Sequence, residues 1–157
     1  MEDKKIEFFC ATPADYKLIT ELRLEFSAEL LGPQSVEKEA LVRDSLENYF
    51  KAEIGKNYIS WYATVNDVPA AAGGLVIRVQ PGNFKNPSGI WGYIMSVYTR
   101  PQFRRMGLSS GIMKRLVESG RERNTTAFEL HATKMGEPVY INEGFEKFHE
   151  PTYRKFF

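Results

Sequence analysis

The segment Tyr98-Thr99-Arg100-Pro101-Gln102-Phe103-Arg104-Arg105-Met106-Gly107-Leu108-Ser109-Ser110-Gly111 places three guanidinium groups, two serine hydroxyls and two glycines between an apolar run and an amphipathic one. A strand ends there, a basic turn follows and a helix begins. The first N–H groups of a helix have no intrahelical partner and carry the positive end of its dipole, so a phosphate placed there satisfies several donors at once. Gly107 permits positive φ and close approach, Ser109 and Ser110 add hydroxyl donors, and Arg104 and Arg105 add charge. The glycine spacing is not Gly-x-Gly-x-x-Gly and no Gly-Lys-Ser/Thr follows, which excludes the two common nucleotide loops.

A second cluster lies downstream. Leu130-His131-Ala132-Thr133 is followed after three residues by Glu137-Pro138-Val139-Tyr140-Ile141-Asn142-Glu143-Gly144-Phe145, a short helix that sets a tyrosine just before a Gly-Phe pair. The first segment resembles the acyl-coenzyme A binding motif of the GNAT acyltransferase family, Arg/Gln-x-x-Gly-x-Gly/Ala, and the second is similar to that family's closing motif. The two motifs, in this order and separation, cover about 60 residues.

Carried over residue by residue, the resemblance implies that backbone N–H groups from Arg105 through Met106, Gly107, Leu108 and Ser109 to Ser110 cradle the pyrophosphate of acetyl-coenzyme A. Arg104 takes the Arg/Gln position, Gly107 the glycine position, and Ser109 stands where Gly or Ala is usual. Val97 and Thr99 fall where strand backbone holds the pantetheine arm. Thr133 sits where many members have Asn.

Acetyl transfer from a thioester to an amine needs a neutral nucleophile, an oxyanion donor and a proton for the departing thiolate. An amine of pKa about 10.4 is neutral at pH 7 in about one part in 10³·⁴, a penalty of about 4.6 kcal/mol that a base or water relay offsets. Tyr140 is the expected general acid, since a phenol of pKa about 10 stays protonated and can donate to sulfur. The strand N–H of Val97 is the expected oxyanion donor. The strand Tyr93-Ile94-Met95-Ser96-Val97 lacks the glutamate that some members carry, leaving Glu25, Glu29, His131 or a water relay as the base.

Positioning these groups requires a defined set of elements. Ile6–Phe9 reads as a strand, Thr12-Pro13 opens a helix with Ile19, Leu22, Phe26 and Leu30 on one face, and Gly32-Pro33 ends it. Ser35 caps a second helix carrying Val42, Leu46, Tyr49 and Phe50. Ile59–Val65 alternates with period two, Ala70–Val79 is a near-continuous apolar strand with Gly73-Gly74 marking a bulge or close backbone approach, and Ile90–Tyr98 is a third. Gln80–Gly89 is a loop. Gly107–Arg123 reads as a helix buried through Leu108, Ile112, Met113, Leu116 and Val117, Ala127–Ala132 as a strand, and Glu137–Glu143 as a short helix capped by Gly144. Phe145–Phe148 and Thr152–Phe157 are expected as two closing strands. The order β-α-α-β-β-β-α-β-α-β-β predicts an α/β (α+β) fold, a mixed and mostly antiparallel sheet with helices on both faces, as the GNAT resemblance implies.

At 157 residues the chain is expected to form a single domain, 1–157, with 43% apolar and 26% charged residues. One cysteine, Cys10, and two histidines exclude an intramolecular disulfide and a conventional structural zinc site. Cys10 itself is expected in the core. The charged start Met1-Glu2-Asp3-Lys4-Lys5 fits neither a signal peptide nor a membrane span, so a cytoplasmic protein is expected. The net charge of +1 conceals asymmetry: residues 1–53 carry −5 and residues 99–123 carry +5.

The leading expectation is therefore an N-acetyltransferase that moves acetyl from acetyl-coenzyme A to a primary amine, small molecule or peptide, within a ternary complex. The acidic first and second helices, which border the acceptor cleft in the family, imply a cationic amine, although solvated faces explain the same charges. Family membership also implies possible pairing as a homodimer. A coenzyme-binding sensor without transfer activity is the alternative. A nucleic-acid-binding helix is disfavoured because Leu108, Ile112 and Leu116 are needed in the core.

Overall fold

The computed structural model describes residues 3–157; Met1 and Glu2, part of the amino-terminal charge reading, lie outside them. Strand β1 (Ile6–Cys10) leads through a 3-10 turn at Pro13–Asp15 into helices α1 (Tyr16–Leu31) and α2 (Val36–Glu53). Strands β2 (Tyr58–Val65), β3 (Val68–Val79) and β4 (Ile90–Thr99) follow, then α3 (Leu108–Glu122), β5 (Ala127–Leu130) and α4 (Glu137–Asn142). The sheet order is β1-β2-β3-β4-β5, antiparallel except for the β4–β5 pair. That one parallel pair needs a crossover, and α3 supplies it.

Local signals set the helix ends. Asp15 accepts from the Thr12 N–H at 2.8 Å, Gly32 closes α1 at φ 79°, and the Ser35 hydroxyl accepts from the Lys38 N–H to cap α2. Each face of the sheet is covered by helix. On one, α3 buries Leu108, Ile112, Met113 and Leu116 against Ile59, Ala63, Leu75 and Ile94. On the other, α1 and α2 bring Ile19, Leu22 and Phe50 onto Tyr58, Ala72 and Tyr98.

Gly73 and Gly74 show both properties read from them. The β3–β4 register slips between Ala72 and Gly74, so that Ser96 and Val97 of β4 stand opposite Gly73 alone. A Cβ on Gly73 would lie 2.7 Å from Ile112 of α3, and one on Gly74 would strike the Tyr58 hydroxyl on the other face. Ser96, at φ 56°, takes the left-handed conformation of the bulge.

Two expectations fail. The closing strands over 145–148 and 152–157 do not form, and Phe148, Tyr153, Phe156 and Phe157 are exposed. Charges interrupt both parities there, Pro151 removes a donor, and strand formation depends on a partner edge as much as on propensity. Cys10 is exposed because it ends the edge strand β1, outside both apolar clusters.

Candidate active site

The turn between β4 and α3 is built for positive φ. Arg105 lies at φ 63° and Gly107, the N-cap of α3, at φ 75°; a Cβ at Gly107 would meet nothing within 4 Å. No side chain caps this helix. The N–H groups of Leu108, Ser109 and Ser110 are therefore left without a side-chain cap at the positive end of a 15-residue helix. The Ser109 hydroxyl is instead bonded to Thr99 Oγ1 at 2.9 Å, which locks the helix start to the end of β4.

Beside this turn the sheet splays. The β4–β5 ladder runs from Trp91–Ala127 to Ile94–Leu130 and stops, leaving Met95–Thr99 without a strand partner on the β5 side. On the β5 side of β4, the edge from Met95 to Thr99 is thus an open slot for strand pairing. An extended amide-bearing chain fits there, because it can take up strand hydrogen bonds that β5 does not make. The open helix start and the unpaired strand edge together fit a coenzyme with a pyrophosphate and a pantetheine arm.

Arg104 and Arg100 point away from that slot. Arg104 donates from Nε to the Thr99 carbonyl at 3.0 Å and from Nη2 to both oxygens of Glu29 at 2.8 and 2.7 Å. Arg100 grips Glu25 through Nε at 2.9 Å and Nη2 at 2.7 Å, and donates from Nη1 to the Pro69 carbonyl at 2.8 Å. Two of the three expected base candidates are thus ion-paired. Arg105 is exposed at the turn.

Tyr140 is half-buried against the α3 cluster, with Phe145 edge-on at 6.5 Å between centroids. Burial pushes its phenol above the ordinary tyrosine value. Its helix is held at both ends: the Thr133 hydroxyl accepts from the Gly136 N–H at 3.1 Å, and Gly144 closes α4 at φ 89°. The Ser110 hydroxyl donates to the Glu143 carboxylate, which links the open end of α3 to the Tyr140 helix. His131 is exposed and stands edge-on to Tyr93 at 5.6 Å, on the sheet face that carries α1 and α2.

Two residues were not anticipated from sequence. Arg23 of α1 reaches the bulge, donating to Ser96 Oγ and toward Met95 Sδ at 3.8 Å. Its position beside Ile19, Leu22 and Phe26, within an apolar stripe, is the signal that marks it. Arg78 of β3 stacks over the Tyr93 ring at 4.2 Å.

A mixed sheet with a parallel β4–β5 pair, a basic turn and an uncapped helix start accord with an acyltransferase fold. The acetyltransferase (GNAT) family model matches residues 19–139, and the chain belongs to that family. No curated protein matches the chain at a significant level. Among solved structures, a predicted acetyltransferase from Clostridium acetobutylicum with acetyl-CoA is similar at TM-score 0.82 and 24% identity, covering 96% of each chain. A GCN5-related N-acetyltransferase from Ralstonia eutropha gives 0.80 and 24%, over 96% of this chain and 99% of that one. Glucosamine-6-phosphate N-acetyltransferase from Arabidopsis thaliana gives 0.69 and 15%, over 97% and 99%. These identities show the shared fold. Among the described residues no helix is long and apolar enough to cross a membrane.

Proposed function

We propose that the protein transfers an acetyl group from acetyl-coenzyme A to a primary amine by direct attack in a ternary complex. The single observation that carries this reading is the uncapped start of α3 beside the unpaired half of β4. The Clostridium relative, solved with acetyl-CoA, supports the choice of coenzyme.

Bound acetyl-coenzyme A supplies an acyl carbon activated by a thiol leaving group. The N–H groups from Arg105 to Ser110 hold its phosphates, with Arg104 bracing the turn through Thr99, and the backbone of Val97 and Thr99 orients the arm. The Val97 N–H stabilises negative charge on the carbonyl oxygen. As the C–S bond breaks, Tyr140 gives its proton to sulfur; its raised pKa keeps that proton available throughout the neutral range. The amine proton leaves through water or through His131, which among the described residues has no ion-pair partner, unlike Glu25 and Glu29.

We further read residues 1–157 as one catalytic domain working in the cytoplasm, supported by one continuous five-stranded sheet and a single cysteine. Isothermal titration with acetyl-coenzyme A tests the first half of the reading, and saturable binding at micromolar to millimolar concentration is expected. Coenzyme A release with a panel of primary amines tests the second. Absence of binding, or release that no amine accelerates, overturns it.

A further inference from the structure

The acidic side chains of α1 do not present free charge to an acceptor. Glu21 pairs with Arg43, Glu25 with Arg100 and Glu29 with Arg104. Two guanidinium groups lie on the α1–α2 face of the sheet. Arg23 sits on the β4 bulge and Arg78 on the Tyr93 ring, and among the described residues neither has a carboxylate partner. A cleft of about 120 Å³ opens beside Arg78, lined by Gln80, Trp91, Gly92, Tyr93 and Glu129.

Three relationships give this cleft a direction. Arg78 stands opposite Trp91 in the β3–β4 ladder, Tyr93 is one pleat further along β4, and Met95, which Arg23 contacts, is one pleat beyond. At ~3.3 Å per residue, Tyr93 and Met95 lie about 7 Å apart along the strand. The last β4–β5 pair, Ile94–Leu130, falls between them, so the cleft lies on the paired half of β4, next to the half that β5 leaves free. The guanidinium of Arg78, held 4.2 Å from the Tyr93 ring centroid, brings a fork of donors that suits a planar or tetrahedral anion. Glu129 supplies the single carboxylate in the lining, a partner for an ammonium.

We propose that the acceptor is a small amine that also bears an anionic group, carboxylate or phosphate, and that Arg78 binds this anion while Glu129 faces the amine end. The proposal rests on the acetyl-transfer reading and narrows it to amphoteric acceptors. Polyamines and other purely cationic amines are disfavoured, because they would leave the Arg78 guanidinium in the cleft without an anion.

The test measures coenzyme A release with the twenty α-amino acids against their amides, and with amino-sugar phosphates against their dephosphorylated forms. At least one anion-bearing amine is expected to exceed its neutral counterpart at least tenfold in kcat/KM, and the winning arm identifies carboxylate or phosphate. Arg78→Met is expected to raise KM for that acceptor at least tenfold with little effect on the neutral counterpart. Arg78→Lys, which keeps the charge and loses the fork, is expected to fall between. The dissociation constant of acetyl-coenzyme A, read by titration, is expected to change less than twofold in both variants. A preference for neutral or dicationic amines, equal loss for charged and neutral acceptors, or no anion-bearing amine above background overturns the proposal. If acetyl-coenzyme A binds and only the anion preference is missing, acetyl transfer stands and this inference alone falls; if the coenzyme does not bind, both fall.

Discussion

Arg100 holds the Glu25 carboxylate in a two-pronged grip, 2.9 Å from Nε and 2.7 Å from Nη2, and so ties the end of β4 to the middle of α1. The pair sits where a general base could stand, yet both carboxylate oxygens are engaged. Glu25→Gln is expected to lower stability by about 1 kcal/mol, since the pair is partly exposed. The pH profile of kcat is expected to keep its shape. A profile that loses an ionisation in this variant would make Glu25 the base, and a matched thermal melt separates the two effects.

Tyr140 stands on a helix whose ends are both secured, so its side chain can be altered with little backbone change. Tyr140→Phe is expected to reduce kcat about 10²-fold or more, in the range of a lost general acid. Titration of the same variant with acetyl-coenzyme A should give an unchanged dissociation constant. Loss of both in equal measure would assign the phenol to packing.

Gly107 caps α3 at φ 75° with open space where a Cβ would stand. Gly107→Ala meets no clash, only the left-handed conformation, which costs about 1–2 kcal/mol for an L-residue. A drop of that size in unfolding free energy is expected, with a several-fold larger dissociation constant for acetyl-coenzyme A as the methyl group enters the phosphate space. An unchanged constant would move the phosphate site elsewhere.

His131 is the base candidate left without an ion-pair partner among the described residues. If it accepts the amine proton, His131→Gln lowers the rate at pH 7 by tenfold or more, and raising the pH toward the amine pKa restores much of it, because the free base then forms unaided. A deficit that stays constant with pH indicates a structural role beside Tyr93.

Tyr58 is fully buried, and burial drives its phenol well above the ordinary value near 10. A raised acid holds its proton longer in the folded state than in the unfolded one. Its contribution is therefore complete below about pH 10 and is lost as the pH climbs toward the folded value. Denaturant unfolding should show stability falling above about pH 10, and Tyr58→Phe should flatten that fall relative to the unmodified protein.

The central elements were legible because each carried its own period: alternation along Ile59–Val65, the apolar run Ala70–Val79, and the stripe Leu108, Ile112, Leu116. The turn between β4 and α3 was legible because glycine placement and the onset of a helical stripe are local signals. What escaped was long-range. Arg100 and Arg104 belonged in sequence to a basic block, yet their partners Glu25 and Glu29 lie 75 residues away and neutralise them. Arg23, in an acidic helix, and Arg78, on an apolar strand, have no carboxylate partner among the described residues, and local charge averages hide them. The closing strands failed for the same reason, since a partner edge is not written in a strand's own residues.

The extra residue at Ser96–Val97 shifts the phase of β4 midway along its length. Met95 and Ser96 both address Arg23 on one side, after which Val97 resumes against α3 and Tyr98 against α1. Upstream of the shift the strand presents the proposed acceptor face; downstream it delivers Thr99 to Ser109 and the start of α3. Insertion or deletion of a single residue here would invert one half relative to the other, sending Tyr98 toward α3 and Thr99 away from it. Point substitutions adjust this strand, whereas a one-residue length change disconnects its two jobs.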